Sequence, residues 1–195
     1  MAWSQTYCKK LNKIYRYFTL LVGLLECGKH RNEYIAAVIK RNPLTPAMAL
    51  QKAKHYCAWQ ERSHAAVKEK LYGFGLRKTD VETILTTLIE ENYLNEERFA
   101  RLFAGGKFRQ KKWGRVKIMY ELKQQKVSAY NIKKALEEIE EDVYQKCLLT
   151  LAQKKWASIT SNLPLIKKAK TTAYLIQKGY EPVLIQQVIA QIISI

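Results

Sequence analysis

From Leu71 onward the hydrophobic positions of the chain recur at two fixed offsets. Leu71, Leu76, Val81, Leu85 and Leu88 return 51 positions later as Leu122, Val127, Ile132, Leu136 and Ile139. Those five return 53 positions further on as Leu175, Tyr180, Ile185, Ile189 and Ile192. Five apolar landmarks matched in each of two comparisons mark an internal repeat. Within each period the apolar residues stand three and four apart, as on the buried stripe of an amphipathic helix. No segment alternates apolar with polar residues as a half-buried strand does. The pattern predicts an all-α chain: tandem repeats of a three-helix unit forming an elongated, curved helical array. A unit of about 50 residues buries little core alone, so neighbouring units must share surface.

Helix signals divide the repeats at 44–93, 94–140 and 141–195. Thr45 with Pro46 reads as a cap and first helical position, and the helix it opens runs to about Trp59. Ser63 caps the second helix, which ends at the turn permitted by Gly73 and Gly75. Thr79 with Glu82 forms a capping box for the third. In the second unit Asn95 caps a helix that Gly105-Gly106 ends or hinges, Gly114 opens the next, and Ser128 precedes the last. The acidic run Glu137, Glu138, Glu140, Glu141 and Asp142 reads as a solvated face and the acidic start of the following helix. Residues 1–43 form a basic extension, helical or partly disordered, in which Leu11, Ile14, Tyr15, Phe18, Leu21, Val22 and Leu25 stand at helical spacing. Its apolar stretch from Tyr17 to Leu25 is too short to cross a bilayer, and the region after it is a poor signal-peptide cleavage site.

Composition narrows the chemistry. The chain has 195 residues, with 34 Lys and Arg against 17 Asp and Glu, a net charge of +17. That balance favours an acidic partner, either nucleic acid or an anionic protein face. Cys8, Cys27, Cys57 and Cys147 are widely spaced and read as reduced thiols of a cytoplasmic protein. His55 and Cys57 lack the second ligand pair that a structural zinc requires. Gly105-Gly106-Lys107 lacks the strand, glycine spacing and hydroxyl residue of a phosphate loop. No nucleophile and base constellation stands out, so no catalytic residue, cofactor or metal is assigned, and a monomeric binding protein is expected.

The sharpest charged feature lies between Arg101 and Lys126, where nine cations face only Glu121 in 26 residues. Arg101, Lys107, Arg109, Lys111, Lys112, Trp113, Arg115 and Lys117 are its candidate partner-binding set, with Phe108 and Trp113 interleaved as aromatic anchors or stacking groups. A plain alternative is a solvated lysine-rich face with Trp113 in the core.

Three segments carry the pattern of one known family. Arg62-Ser63 leading to Lys70-Leu71 is similar to that family's opening pattern. Asn92-Tyr93-Leu94-Asn95-Glu96-Glu97-Arg98-Phe99-Ala100 resembles its run Gly-Tyr-Leu-Asp-Asp-x-Arg-Phe-Ala. Gly114, Ile118, Glu121-Leu122 and Lys126-Val127 resemble Gly-x-x-x-Ile-x-x-Glu-Leu-x-x-x-Gly-Ile. Asn92 stands in place of glycine, Asn95-Glu96 in place of paired aspartates, and Lys126 where glycine is common. In these runs the chain resembles the RecX family of RecA regulators, and the resemblance implies binding to the RecA nucleoprotein filament and damping of its ATP hydrolysis and strand exchange, with DNA contacted directly or through the filament. A direct DNA-binding helical module is the competing expectation. Neither a small-molecule substrate nor a membrane is expected as a partner.

Overall fold

The computed structural model describes residues 44–161 and 163–194, so the extension at 1–43 and the amphipathic helix expected there lie outside the described residues. Among the described residues there are nine α-helices and no strand. The first unit comprises α1 (Pro46–Trp59), α2 (His64–Tyr72) and α3 (Lys78–Glu90). The second comprises α4 (Glu96–Lys111), α5 (Arg115–Gln124) and α6 (Ala129–Glu137). The third comprises α7 (Glu141–Ala157), α8 (Pro164–Lys178) and α9 (Pro182–Ile193). The described residues therefore form an all-helical repeat array.

Local chemistry explains most boundaries. Thr45, Ser63, Asn95 and Ser128 each accept a hydrogen bond from the backbone N–H three residues on, satisfying a helix-start donor that has no intrahelical partner. Two expectations fail. Helix α3 begins at Lys78 with Arg77 as an N-cap that makes no side-chain cap bond, so Thr79 lies inside the first turn and no capping box forms. The Val81 N–H bonds the Arg77 carbonyl, and burial of Leu76 and Val81 sets this earlier start. The Gly105-Gly106 pair neither ends nor hinges α4, which runs unbroken to Lys111. Each glycine costs a helix about 1 kcal/mol. Burial of Phe99, Ala100, Ala104 and Phe108 along one stripe outweighs that, helped by Glu96 and Glu97 at the positive end of the helix dipole and Arg109 and Lys111 at the negative end.

The repeat is visible in the buried positions. Val67, Leu71, Leu76, Val81, Ile84 and Leu88 are matched at an offset of 51 by Ile118, Leu122, Val127, Ile132, Ala135 and Ile139, all buried. The fourth landmark moves by one: Leu85 and Leu136 are only partly buried, and their neighbours Ile84 and Ala135 face the core. Small residues Ala53, Ala104 and Ala152 lie buried in the first helix of each unit, allowing the other two helices to approach.

The second helix of each unit is followed by a residue in left-handed geometry: Gly75 at φ 80°, Lys126 at φ 57° and Gly179 at φ 87°. Lys126 takes the glycine position directly, at the steric cost that a side chain carries there. Asn92 likewise adopts φ 59°. Gly73, by contrast, stays right-handed at φ −63°, so Gly75 alone makes the turn after α2.

The units share surface unequally. One hydrophobic core spans the second and third units, from Phe99, Ile118 and Leu122 to Tyr144, Leu175 and Ile189. A separate core lies within the first unit and its exit, from Ala49 and Val67 to Leu88 and Leu94.

Candidate cationic interface

The segment that opens the second helix of one unit lies on the end of the second helix of the next. At the first junction the Ser63 hydroxyl donates to Gln125 Oε1 at 2.9 Å. At the second, the Gly114 N–H donates to the Lys178 carbonyl at 2.9 Å and the Val116 N–H to the Gly179 carbonyl at 3.1 Å. A Cβ on Gly114 would overlap the Gly179 carbonyl and the Tyr180 nitrogen, which is why the residue must be glycine. Close backbone packing there brings the lysine-rich end of α4 beside the end of α8.

The result is a belt of cations crossing that junction. Lys107 Nζ and Lys117 Nζ stand over the Trp113 ring at 5.1 and 4.7 Å. Lys155 Nζ and Lys178 Nζ stand over Tyr174 at 5.4 and 5.7 Å. The two groups are joined: Lys178 Nζ donates to the Lys111 carbonyl at 3.2 Å, and Lys117 Nζ to the Gln177 carbonyl at 3.4 Å. Lysines at these positions meet the negative ends of α4 and α8. Arg109, Lys111 and Lys112 are exposed, and the Arg109 guanidinium lies against Gly105. Lys107, Arg109, Lys111, Lys112 and Lys117 form no ion pair with a described acidic residue.

Two other members of the expected set are engaged in ion pairs. Arg101 pairs with Glu97 and Glu138, both at 3.0 Å. Arg115 pairs with Glu141 at 2.8 Å, donates to the Ile139 carbonyl at 3.1 Å and covers the Tyr144 ring at 4.2 Å. Glu138 and Glu141 are exposed, as the sequence reading has them, and also serve as the partners of these two arginines. A hydrogen bond from Gln145 and the Arg115 charge hold the Glu141 carboxyl below the usual carboxylate range. Phe108 is buried and packs on Tyr144 at 5.7 Å between centroids, so it is neither anchor nor stacking platform. Trp113 is partly buried against the shared core, its indole placed between two lysines.

Tyr144 fastens this junction. Fully buried, its hydroxyl donates to Glu181 Oε2 at 2.6 Å and accepts from the Arg115 N–H at 3.0 Å. Burial first, and the Glu181 carboxylate second, push that hydroxyl well above the ordinary phenol range. Tyr180, 5.1 Å away between centroids, is raised by burial and by its contact with Cys147.

The motif residues serve architecture. Arg62 stacks on Tyr56 at 4.1 Å, and Tyr93 lies beneath Lys54 at 5.6 Å. Leu94, Ala100 and Leu122 are buried, Phe99 packs on Phe103, and Glu121 is partly buried. Arg98 joins Glu61, at 2.6 Å, to Asn92. Sequence reasoning missed Lys155, Tyr174 and Lys178, which are more than 40 residues from Trp113 in the chain and reach the belt only through the Gly114 junction. The one available signal was the alignment of Lys178-Gly179 with Gln125-Lys126 in the repeat.

The nine described helices, in consecutive threes that meet through their second helices, define a tandem three-helix scaffold with a cationic face. Family models for the RecX second and third three-helix domains match residues 95–136 and 142–189, in step with α4–α6 and α7–α9. The regulatory protein RecX of Lactobacillus gasseri is 37% identical over 119 residues, spanning 61% of this chain and 43% of that protein. That of Prosthecochloris aestuarii is 29% identical over 146 residues, spanning 75% of this chain and 94% of its own. The crystal structure of RecX from Lactobacillus salivarius superposes with a TM-score of 0.70 at 19% identity, covering 77% of this chain and 97% of that one. The chain is similar to the RecX three-helix domains over its second and third units and shares the fold of a RecX protein. The match spans less than half of the Lactobacillus gasseri relative. No helix among the described residues is long and apolar enough to cross a membrane.

Proposed function

We propose that the protein is a non-catalytic, cytoplasmic, monomeric regulator that binds the RecA nucleoprotein filament and restrains its ATP hydrolysis, strand exchange and growth. The observation that carries this reading is the belt at the second junction. Its cations are held on rings and helix ends while described carboxylates pair with other arginines, so the belt remains available to an anionic partner. The likeness to RecX regulatory proteins supports the recombinase as that partner, and charge complementarity would give the contact its orientation and rate. Units in tandem suit a repetitive target, because contacts on successive subunits reinforce one another. Titrating the protein into a DNA-dependent ATP hydrolysis assay of the cognate recombinase tests it. Falling hydrolysis and shorter filament lifetime are expected, and no change in hydrolysis, strand exchange or lifetime would sink the reading.

Direct binding to DNA is the second reading, favoured by the lysines fixed over Trp113 and Tyr174. Their ammonium groups occupy ring faces, which suits phosphate contact better than base stacking. Binding to DNA without recombinase should then weaken steeply with salt and show little base preference. Absence of such binding at physiological salt would leave the belt to a protein partner.

A further inference from the structure

The two junctions differ in kind. Between the second and third units lie a continuous apolar core, two backbone hydrogen bonds at Gly114 and Val116, and the buried Tyr144 hydroxyl bound by both units. Such a joint has no room to open without exposing Phe108, Ile118 and Tyr180 to water.

Between the first and second units the cores are separate, and the side-chain bonds that cross are polar. Arg98 Nε donates to Glu61 Oε1 at 2.6 Å, and the Ser63 hydroxyl donates to Gln125 at 2.9 Å. The Arg98 and Glu61 side chains retain 37% and 22% of their exposure, so the pair is half-buried at the edge of the junction, where salt weakens it in part. Beside it, Glu61 Oε2, Arg62 Nε and His64 Nε2 are buried atoms without a hydrogen-bond partner, so the closed arrangement is incompletely satisfied on the first unit's side. The connection between the units passes through Asn92 at φ 59°, which the same Arg98 holds through both its side-chain oxygen and its carbonyl.

We infer that the first unit is a hinged arm on a rigid body formed by the second and third units, with the Arg98 to Glu61 ion pair as the latch. Arg98 is well placed for this, since a single guanidinium grips both the pivot residue and the arm. Opening separates polar partners that water can replace, whereas the apolar core on each side stays closed. An anionic group that competes for Arg98 releases the arm.

Pulsed dipolar spectroscopy on the full chain tests this, with spin labels attached through introduced azide-bearing residues at positions 82 and 133, which report arm against body, and at 133 and 168, which lie within the body. The wild-type comparison needs no further substitution: the 82–133 distance distribution should be the broader, and higher salt should broaden it alone. Glu61→Gln, nearly isosteric, should widen the 82–133 distribution and leave 133–168 as it was. Arg98→Ala, which also frees Asn92, should widen it further. Equal widths for the two wild-type pairs, joint broadening of both, or an 82–133 distribution indifferent to Glu61→Gln would each overturn the hinge.

Discussion

Thr171 is fully buried and its hydroxyl has no partner, at a position that the sibling units fill with Val67 and Ile118. An unpaired buried hydroxyl costs about 1–3 kcal/mol, and valine reproduces its shape without it. Thr171→Val should therefore raise stability by about 1 kcal/mol, near the lower end of that range, read as a higher urea midpoint. Gly114→Ala should do the reverse: the added methyl group collides with the backbone of Gly179 and Tyr180, which are not flexible side-chain ends. Overpacking of this sort costs about 1–3 kcal/mol or more, read as a lowered midpoint. Glu141 supplies a pH signature. Its carboxyl is depressed in the folded chain by Gln145 and Arg115, so its contribution to stability is present above the ordinary carboxylate pKa and disappears as pH falls through the lowered one. The stability difference between wild type and Arg115→Gln should accordingly be larger at neutral pH than in acid, as denaturation series at several pH values would show.

At the scale of elements, Tyr144 is the side chain on which α5, α7 and the start of α9 converge. Tyr144→Phe strands the Glu181 carboxylate and the Arg115 N–H, at a cost of about 1–3 kcal/mol. Hydrogen exchange should quicken in α5 and α9 and stay slow in α1 to α3, whose core is separate. Helix positions and caps were legible in the sequence because spacing and cap chemistry act locally, as Asn95 and Ser63 show. Gly105-Gly106 misled because propensity is worth little against a stripe of four buried residues. Arg101 and Arg115 misled for another reason: nearness in sequence to other cations says nothing of the carboxylates that folding delivers. The same blindness hid Lys178, whose ammonium group meets the Lys111 carbonyl across a junction no local pattern encodes.

Across the described molecule the excess charge is unevenly engaged, some arginines being held in ion pairs while Lys107, Lys117, Lys155 and Lys178 of the belt rest on aromatic rings. Replacing Lys111, Lys112 and Lys178 together with Glu should weaken recombinase or DNA binding by at least tenfold, about 1.4 kcal/mol or more, with helicity preserved. Arg101→Gln should leave that affinity near wild type and lower stability instead, because its guanidinium bridges Glu97 and Glu138. Affinity measured by fluorescence anisotropy beside circular dichroism separates the two outcomes. The joint at Gly114 also makes the order of the units irreversible. Ser63 stands at the corresponding place in the first unit and carries a side chain, which meets a glutamine there and would meet bare backbone at Gly179. A chain rebuilt with its first two units exchanged would have every helix and every cap it needs and still fail to close, because one hydrogen atom on Gly114 tells each block which neighbour it was made for.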